Sequence, residues 1–173
     1  DDKFKVIVLR PPMIYGKGSK GNYPTLAKLA KKLSVFPDVQ NERSMLYIEN
    51  LCEFLCQIML VGEVKENAVV LIPQNAEWTR TSDIVKEIAD VSGRNVSKLE
   101  ILNPAVLVGS KMPGKIGRLV NKAFGNSCYA HEMSVYPGIE YQKVSLRESI
   151  YRTEGNTRET SDYKGGSHAR KRL

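Results

Sequence analysis

The chain of 173 residues is long enough for one domain, and its 42% content of hydrophobic residues suffices for a buried core, which excludes an intrinsically disordered protein. The net charge is +7, of which residues 158–173 carry +3, so the rest of the chain carries a modest +4. The sequence also has no motif in which aromatic and basic residues alternate. Both observations argue against nucleic acid as a partner. The sequence has no run of about 18 apolar residues and no cleavable leader, so we expect no membrane span and a cytoplasmic protein.

Strand and helix patterns alternate through the first third of the chain. Residues 4–9, FKVIVL, are typical of a strand buried on both faces of a parallel sheet. Residues 22–33 predict a helix with Pro24 in its first turn and an apolar face formed by Leu26, Leu29, Ala30 and Leu33. Residues 34–48 predict two short strands around a polar turn, and residues 48–60 a mostly buried helix with Glu49 or Asn50 near its start.

The pattern is weaker in the second half. Residues 68–72 predict a strand, and residues 81–93 an amphipathic helix that is capped by Thr81 or Ser82 and ends at Gly93. Residues 104–125 predict a helix interrupted at Pro113, and residues 144–153 a short helix capped by Ser145. We place the folded part at residues 1–155 and expect residues 156–173 to form a polar, basic, disordered tail.

The cysteines do not indicate a metal or disulfide site. Cys52 and Cys56 are four residues apart among leucines, which predicts reduced cysteines in the core. Cys128 and His131 supply one Cys-x-x-His pair, whereas a structural zinc site usually needs four ligands. We therefore predict no metal.

A glycine-rich loop, YGKGSKGNY at residues 15–23, contains Gly16, Gly18 and Gly21 in the spacing G-x-G-x-x-G. In a dinucleotide-binding loop the first glycine directly follows the strand, whereas here PPMIY separates Arg10, near the end of the strand, from Gly16, and lysines occupy the loop. A loop that offers N–H groups and lysines to a phosphate fits better, and a solvated surface loop remains the alternative.

Four segments resemble the C-terminal half of an extended short-chain dehydrogenase/reductase of the NAD-dependent epimerase/dehydratase family, which includes UDP-glucose 4-epimerase. They are LRPPMIYGKGSKGNY, VFPDVQNERSMLYIENL, TSDIVKEIADVSG and VSLRESIYRTEG. The resemblance implies an α/β fold with one or a few parallel strands of the Rossmann sheet and a small mixed α/β substrate-binding subdomain.

The resemblance also implies roles for residues of the first segment. Arg10, Pro11 and Pro12 would lie beside the nicotinamide. Met13 and Tyr15 would form the wall that faces the sugar; methionine there cannot hydrogen-bond a hydroxyl as the common asparagine does, which favours a deoxy- or ketosugar.

Further along, the resemblance implies contacts with a nucleoside-diphosphate sugar, of which a UDP-sugar is the expected example. Lys20 and Asn22 would contact the phosphates, although Asn22 could equally be a helix cap. Phe36 would line the uracil pocket or simply be a core aromatic.

Arg43 would bind the diphosphate, because its guanidinium is planar, permanently charged and able to donate two parallel hydrogen bonds. Its alternative is an ion pair with Glu42 or Glu49. Tyr47 continues the same motif. A second phosphate-binding arginine has no clear match, and Arg94, Arg118 and Lys115 stay open as candidates.

The catalytic and NAD-binding motifs of the family are missing from this sequence. No tyrosine is followed by lysine four residues later, so the Tyr-x-x-x-Lys pair is absent, as is the NAD fingerprint. We therefore expect no catalytic residue and no bound NAD(P) in this chain alone, which would be the substrate-binding part of a longer enzyme whose other half carries the cofactor and the usual dimer surface. The activity expected for that enzyme is 4-epimerisation; a 4-keto reductase or dehydratase, or an inactive binding module, are the alternatives.

Overall fold

The computed structural model describes residues 6–61 and 68–155, which form an α/β structure with short strands. The strands are β1 (Val6–Leu9), β2 (Met13–Tyr15), β3 (Val35–Pro37), β4 (Met45–Tyr47), β5 (Ala68–Leu71) and β6 (Ser97–Leu99). The helices are α1 (Tyr23–Lys32), α2 (Ile48–Val61), α3 (Thr81–Val91), α4 (Asn103–Lys111), α5 (Lys115–Phe124) and α6 (Leu146–Glu154). The predicted α/β class is confirmed, whereas the predicted tail at residues 156–173 lies outside the described residues.

The strands form three parallel pairs. β1 pairs with β5, with Val6 opposite Ala68; β2 pairs with β4, with Met13 opposite Met45; and β3 pairs with β6, with Val35 opposite Ser97. Parallel neighbours need crossover connections, which the intervening helices supply. The two strands predicted over residues 34–48 therefore both exist, but they belong to different sheets.

The main core lies between α1, α3 and the short strands. The predicted inward face of α3 is fully buried, and it packs against the buried face of α1. The residues concerned are Ile84, Val85, Ile88 and Ala89 of α3, and Leu26, Ala27 and Ala30 of α1. At the far end of the chain, Ser145 caps α6 as predicted, by accepting a hydrogen bond from the Glu148 N–H.

Two predictions about local structure were wrong. Leu33 lies beyond the end of α1 and is exposed, because the chain leaves the helix in an extended conformation there. The N-cap of α3 is Arg80 rather than Thr81 or Ser82, and both hydroxyl residues lie inside the helix. Their side chains bond outside α3, Thr81 to the Ala123 carbonyl and Ser82 to the Asp38 carboxylate.

The predicted burial of β1 and of the α2 cysteines was also wrong. Val6 and Val8 are exposed, and so are Cys52 and Cys56. These residues lie on surfaces that the described part of the chain does not cover. Apolar periodicity identifies a face that can pack, but it does not supply the packing partner.

A buried amide pair joins α2 to the C-terminal region. The Asn50 side chain donates to the Val144 carbonyl at 3.0 Å and accepts from the Val144 N–H at 3.0 Å. It also donates to the Asn75 side chain at 3.1 Å, which accepts the Tyr47 N–H and donates to the Tyr15 hydroxyl. Asn50 is therefore a cross-link between segments rather than a helix cap.

This arrangement predicts that Asn50→Asp destabilises the fold. Aspartate cannot donate to Val144 or Asn75 and places a charge in a buried site, so we expect a loss of about 2–4 kcal/mol in the free energy of unfolding, measured with urea. Asn95→Asp, at an exposed position, is the control. A loss of only a few tenths of a kcal/mol would indicate a simple cap, at which Asn and Asp are nearly equivalent.

Candidate functional site

A cleft lies where β2, α1, the segment before β4 and α5 come together. Its walls come from β2, the first turns of α1, the segment before β4 and the second half of α5. The lining residues are Met13, Asn22, Thr25, Leu26, Leu29, Arg43, Leu119, Lys122 and Ala123. The structure thus brings together three of the predicted substrate-binding residues, Met13, Asn22 and Arg43.

Arg43 is held in place by both its backbone and its side chain. Its N–H and carbonyl bond to Thr79 at 3.0 and 3.1 Å, which fixes the segment before β4. The Nη1 group donates to the carbonyls of Lys122, Ala123 and Gly125 at 2.9, 3.3 and 3.2 Å. These carbonyls end α5, where the helix dipole favours a cation. Burial lowers the pKa of the guanidinium, but arginine remains charged at neutral pH.

The structural contacts of Arg43 are not the ion pair with Glu42 or Glu49 that the sequence analysis gave as the alternative to phosphate binding. Glu49 instead pairs with Arg152 at 2.6 Å and accepts the Tyr47 hydroxyl at 2.8 Å. Arg43 caps a helix that lies about 80 residues further along the chain. Sequence spacing gives no signal for this contact, because it depends on how α5 folds back.

Asn22 immediately precedes α1. Its backbone carbonyl accepts the N–H groups of Thr25 and Leu26 at 3.0 and 3.1 Å. Its side chain makes no capping hydrogen bond within the described chain and lines the cleft. The Asn22 amide is therefore available to bind a ligand in the cleft, because it is not used to cap α1.

Lys122 is the second cation of the cleft. Arg94, Arg118 and Lys115, the residues left open as candidates, are all exposed and do not contribute to its lining. Lys122 lies three residues after Leu119 on α5, so both side chains reach the same side of the helix. The sequence search considered Lys115 and Arg118 of the same helix but missed Lys122, because spacing alone does not show which side of α5 faces the cleft.

The predicted aromatic residues are buried in the main core and are not among the residues that line the cleft. Tyr15 is fully buried and stacks on Tyr23 with ring centroids 5.1 Å apart; it lies 5.6 Å from Tyr47. Its hydroxyl bonds to Ser149 and, at 3.1 Å, to Asn75. Phe36 is buried against the ring of Phe124, at 5.5 Å, next to the end of α5. Direct ligand contacts by Tyr15, Phe36 and Tyr47 remain predictions.

The remaining predicted residues lie outside the cleft lining. Arg10 is exposed at the end of β1, where its N–H bonds to the Leu71 carbonyl at 2.9 Å, and Pro11 and Pro12 are half-buried. Lys20 is exposed on the glycine-rich loop. In that loop Gly16 approaches α2 so closely that an added Cβ would lie 2.4 Å from Ile48 Cγ2, so this glycine serves packing.

Membrane-spanning and metal-binding features are both absent from residues 6–61 and 68–155. None of the helices there is long and apolar enough to cross a bilayer. No group of three or more His, Cys, Asp or Glu side chains in the same residues could hold a metal ion.

The fold matches part of the extended short-chain dehydrogenase/reductase fold of epimerases, which confirms the fold that the resemblance in the sequence implied. The chain is similar to UDP-N-acetylglucosamine 4-epimerase from Bacillus cereus, with a TM-score of 0.61, 9% identity and coverage of 88% of this chain and 48% of that one. It is also similar to a UDP-glucuronic acid 4-epimerase variant from Bacillus cereus in complex with a fluorinated UDP-glucuronic acid and NAD. There the TM-score is 0.54 and the identity 16%, with coverage of 86% and 43%.

In sequence, 92 residues are 28% identical to UDP-glucose 4-epimerase from Vibrio cholerae; they make up 51% of this chain and 27% of that protein. No protein-family model matches the chain. The chain thus spans less than half the length of the structures that it resembles.

The carbonyl contacts predict that Arg43→Met destabilises the chain. Three carbonyls at the end of α5 would lose a buried donor, so we expect a loss of about 2–3 kcal/mol in urea unfolding. Arg94→Met, at an exposed position, should change stability by less than about 0.5 kcal/mol. Equal losses in the two variants would contradict the role assigned to Arg43.

The buried tyrosines predict a loss of stability in alkali. Burial raises the pKa of both Tyr15 and Tyr23 above the ordinary value of 10.0, and for Tyr23 the charge of Glu154 adds to the effect. Above pH 10 the unfolded chain therefore releases protons that the folded chain retains. The contribution of these tyrosines to the free energy of unfolding is fully present below pH 10. As the pH rises above 10, the free energy of unfolding should fall by about 1.4 kcal/mol per pH unit for each such tyrosine.

Urea unfolding between pH 8 and 11 measures this slope. Tyr23→Phe should reduce the slope by one tyrosine, about 1.4 kcal/mol per pH unit. Comparison of the two proteins at pH 8 corrects for any direct effect of the substitution. An unchanged slope in the variant would show that Tyr23 ionises equally in both states.

Proposed function

We propose that this chain is the substrate-binding portion of an NAD(P)-dependent nucleoside-diphosphate-sugar 4-epimerase that acts on a UDP-sugar. The observation that carries the proposal is that Asn22, Arg43 and Lys122 line one cleft. The fold supports it, since similar structures are UDP-sugar 4-epimerases.

The chemistry of the cleft suits a nucleoside diphosphate. Two cations and an amide donor match the two anionic phosphate groups, and charge-assisted hydrogen bonds to them are strong. Apolar side chains, Leu26, Leu29 and Leu119, offer a surface to the base or the sugar ring. This combination of a mostly apolar lining and a few polar groups is typical of small-molecule sites.

Binding requires α5 to move. The cleft volume of about 80 Å³ is well below the roughly 300–1,000 Å³ of small-molecule sites. The contacts of Arg43 with α5 use Nη1, and the guanidinium carries further N–H donors on Nε and Nη2 that a phosphate could engage. Once bound there, a diphosphate would also compete for Nη1, because its oxygens are stronger acceptors than the carbonyls of α5, and this would open the cleft.

The cofactor would be held mainly by residues outside this chain. Arg10, Pro11 and Pro12 lie at the carboxyl end of β1, where parallel sheets bind ligands, and they offer one wall beside a nicotinamide. NAD(P) would supply hydride transfer at the sugar. The residues described here would hold and orient the nucleotide.

A second candidate is a 4-keto reductase or dehydratase of a UDP-6-deoxy amino sugar. It is favoured by Met13, whose side chain lines the cleft and cannot donate a hydrogen bond to a sugar hydroxyl. An inactive UDP-sugar-binding module would use the same three polar side chains without turnover.

Calorimetric titration of UDP into the 173-residue chain tests nucleotide binding. We expect a dissociation constant below about 1 mM, and binding at least about tenfold weaker in Asn22→Asp, which places a negative charge toward the diphosphate. The Asn22 side chain makes no capping hydrogen bond that would be lost, and a negative charge is favourable at a helix N-terminus, so the melting temperature should be retained.

Asn95→Asp makes the same chemical change at an exposed site outside the cleft and should bind UDP as the parent chain does. Absence of binding, or equal binding by Asn22→Asp, would contradict the proposal.

A further inference from the structure

The side chain of Thr81 makes a second, neutral attachment to the end of α5. Thr81 is fully buried at the first residue of α3. Its hydroxyl donates to the Ala123 carbonyl at 2.6 Å, and this is one of the three carbonyls that Arg43 also contacts. Because Ala123 lines the nucleotide cleft, the bond from Thr81 fixes part of the cleft wall.

The buried amide of Asn41 sets the direction of the Thr81 hydroxyl. A backbone N–H can only donate, so the bond from the Thr81 N–H at 3.1 Å identifies the Asn41 oxygen as its acceptor. The Asn41 amide nitrogen then donates to the Thr81 hydroxyl oxygen at 3.0 Å. The single hydroxyl hydrogen is therefore directed at the Ala123 carbonyl.

The α5 helix is bonded to α4, whereas the chain that follows α5 is held separately. The Asn121 side chain donates to the Ser110 carbonyl at 3.0 Å, which joins the two helices. Beyond α5, the Ser127 N–H donates to the Glu42 carbonyl at 2.9 Å. The two helices can therefore move together while the segment after α5 stays in place.

We propose that Thr81 is a positioning residue that holds α5 closed over the cleft, and that a nucleoside diphosphate enters when the bond from Thr81 to Ala123 breaks. This inference rests on the function proposed above. When the Arg43 guanidinium turns to the phosphates, the Thr81 hydroxyl still holds the end of α5. Its bond then lowers the apparent affinity, because a ligand that binds only the open state is weakened in proportion to the fraction of the chain that is open.

Thr81→Val removes the hydroxyl while it keeps a branched side chain of similar size. Loss of the Asn41 contact affects the open and closed states alike and should lower the melting temperature. Loss of the Ala123 contact affects only the closed state, so the open fraction should rise about fivefold, the factor that corresponds to one neutral hydrogen bond. UDP should then bind about fivefold more tightly in calorimetric titration.

Thr81→Ser retains the hydroxyl and is the matched control. Its affinity for UDP should stay within about twofold of that of the parent chain, because the bond to Ala123 is kept. A residue that only supports the fold would instead leave the affinity of Thr81→Val unchanged or lower it.

Thiol labelling measures the opening without a nucleotide. Leu26 lines the cleft and is 5% exposed, so a thiol introduced by Leu26→Cys should react with a maleimide when α5 moves away, after the three exposed natural cysteines. A thiol introduced by Ile88→Cys, buried in α3 outside the cleft, should react far more slowly because only unfolding exposes it. Addition of Thr81→Val should raise the rate at Leu26→Cys about fivefold, since that rate follows the open fraction when closing is fast.

Three results would overturn the inference. The first is a folded Thr81→Val variant that binds UDP no more tightly than the parent chain does. The second is an unchanged labelling rate at Leu26→Cys after addition of Thr81→Val. The third, which needs no Thr81 variant to fold, is equal labelling of the Leu26→Cys and Ile88→Cys thiols. If the parent chain binds no UDP, the proposed function fails, and the labelling rates still decide whether Thr81 holds α5.

Discussion

The buried guanidinium of Arg43 determines how the candidate site is built. It joins the segment before β4 to the last carbonyls of α5, which are about 80 residues away in sequence. Together with the Thr81 hydroxyl, which donates to the Ala123 carbonyl at 2.6 Å, this bond holds the end of α5 and so positions the wall that carries Leu119 and Lys122. A cation at the end of a helix is electrostatically favourable, and its fork geometry lets it serve several acceptors at once.

The same bond gives the cleft two possible states. With Nη1 on the α5 carbonyls the cleft is nearly closed, as in the structure described here. Phosphate oxygens are stronger acceptors for a guanidinium than neutral carbonyls, so a nucleoside diphosphate can exchange for them. In our proposal, Arg43 therefore couples nucleotide binding to a movement of α5.

The sequence patterns located α1, α2, α3 and α6, and the apolar spacing gave the buried face of α3 correctly, whereas Leu33 after α1 and Met59 and Leu60 of α2 are exposed. The strand β6, SKL, was not predicted because it is short and polar and exists through its pairing with β3. Three site features also depend on long-range contacts: the Asn50 cross-link, the helix end under Arg43 and the position of Lys122. Composition and spacing carry no information about such contacts, whereas the resemblance to a family did indicate that Asn22 and Arg43 would be neighbours.

The central claim is that Arg43 and Asn22 together bind the diphosphate and that α5 moves away when it binds. The most direct measurement is a heteronuclear NMR titration of the ¹⁵N-labelled chain with UDP. We predict that the Arg43 Nε–H, the Asn22 side-chain amide and the backbone amides of residues 119–125 shift together along one binding curve. Shifts confined to the glycine-rich loop at residues 16–21, with the Arg43 signal unchanged, would contradict the account and place the phosphate on the loop instead.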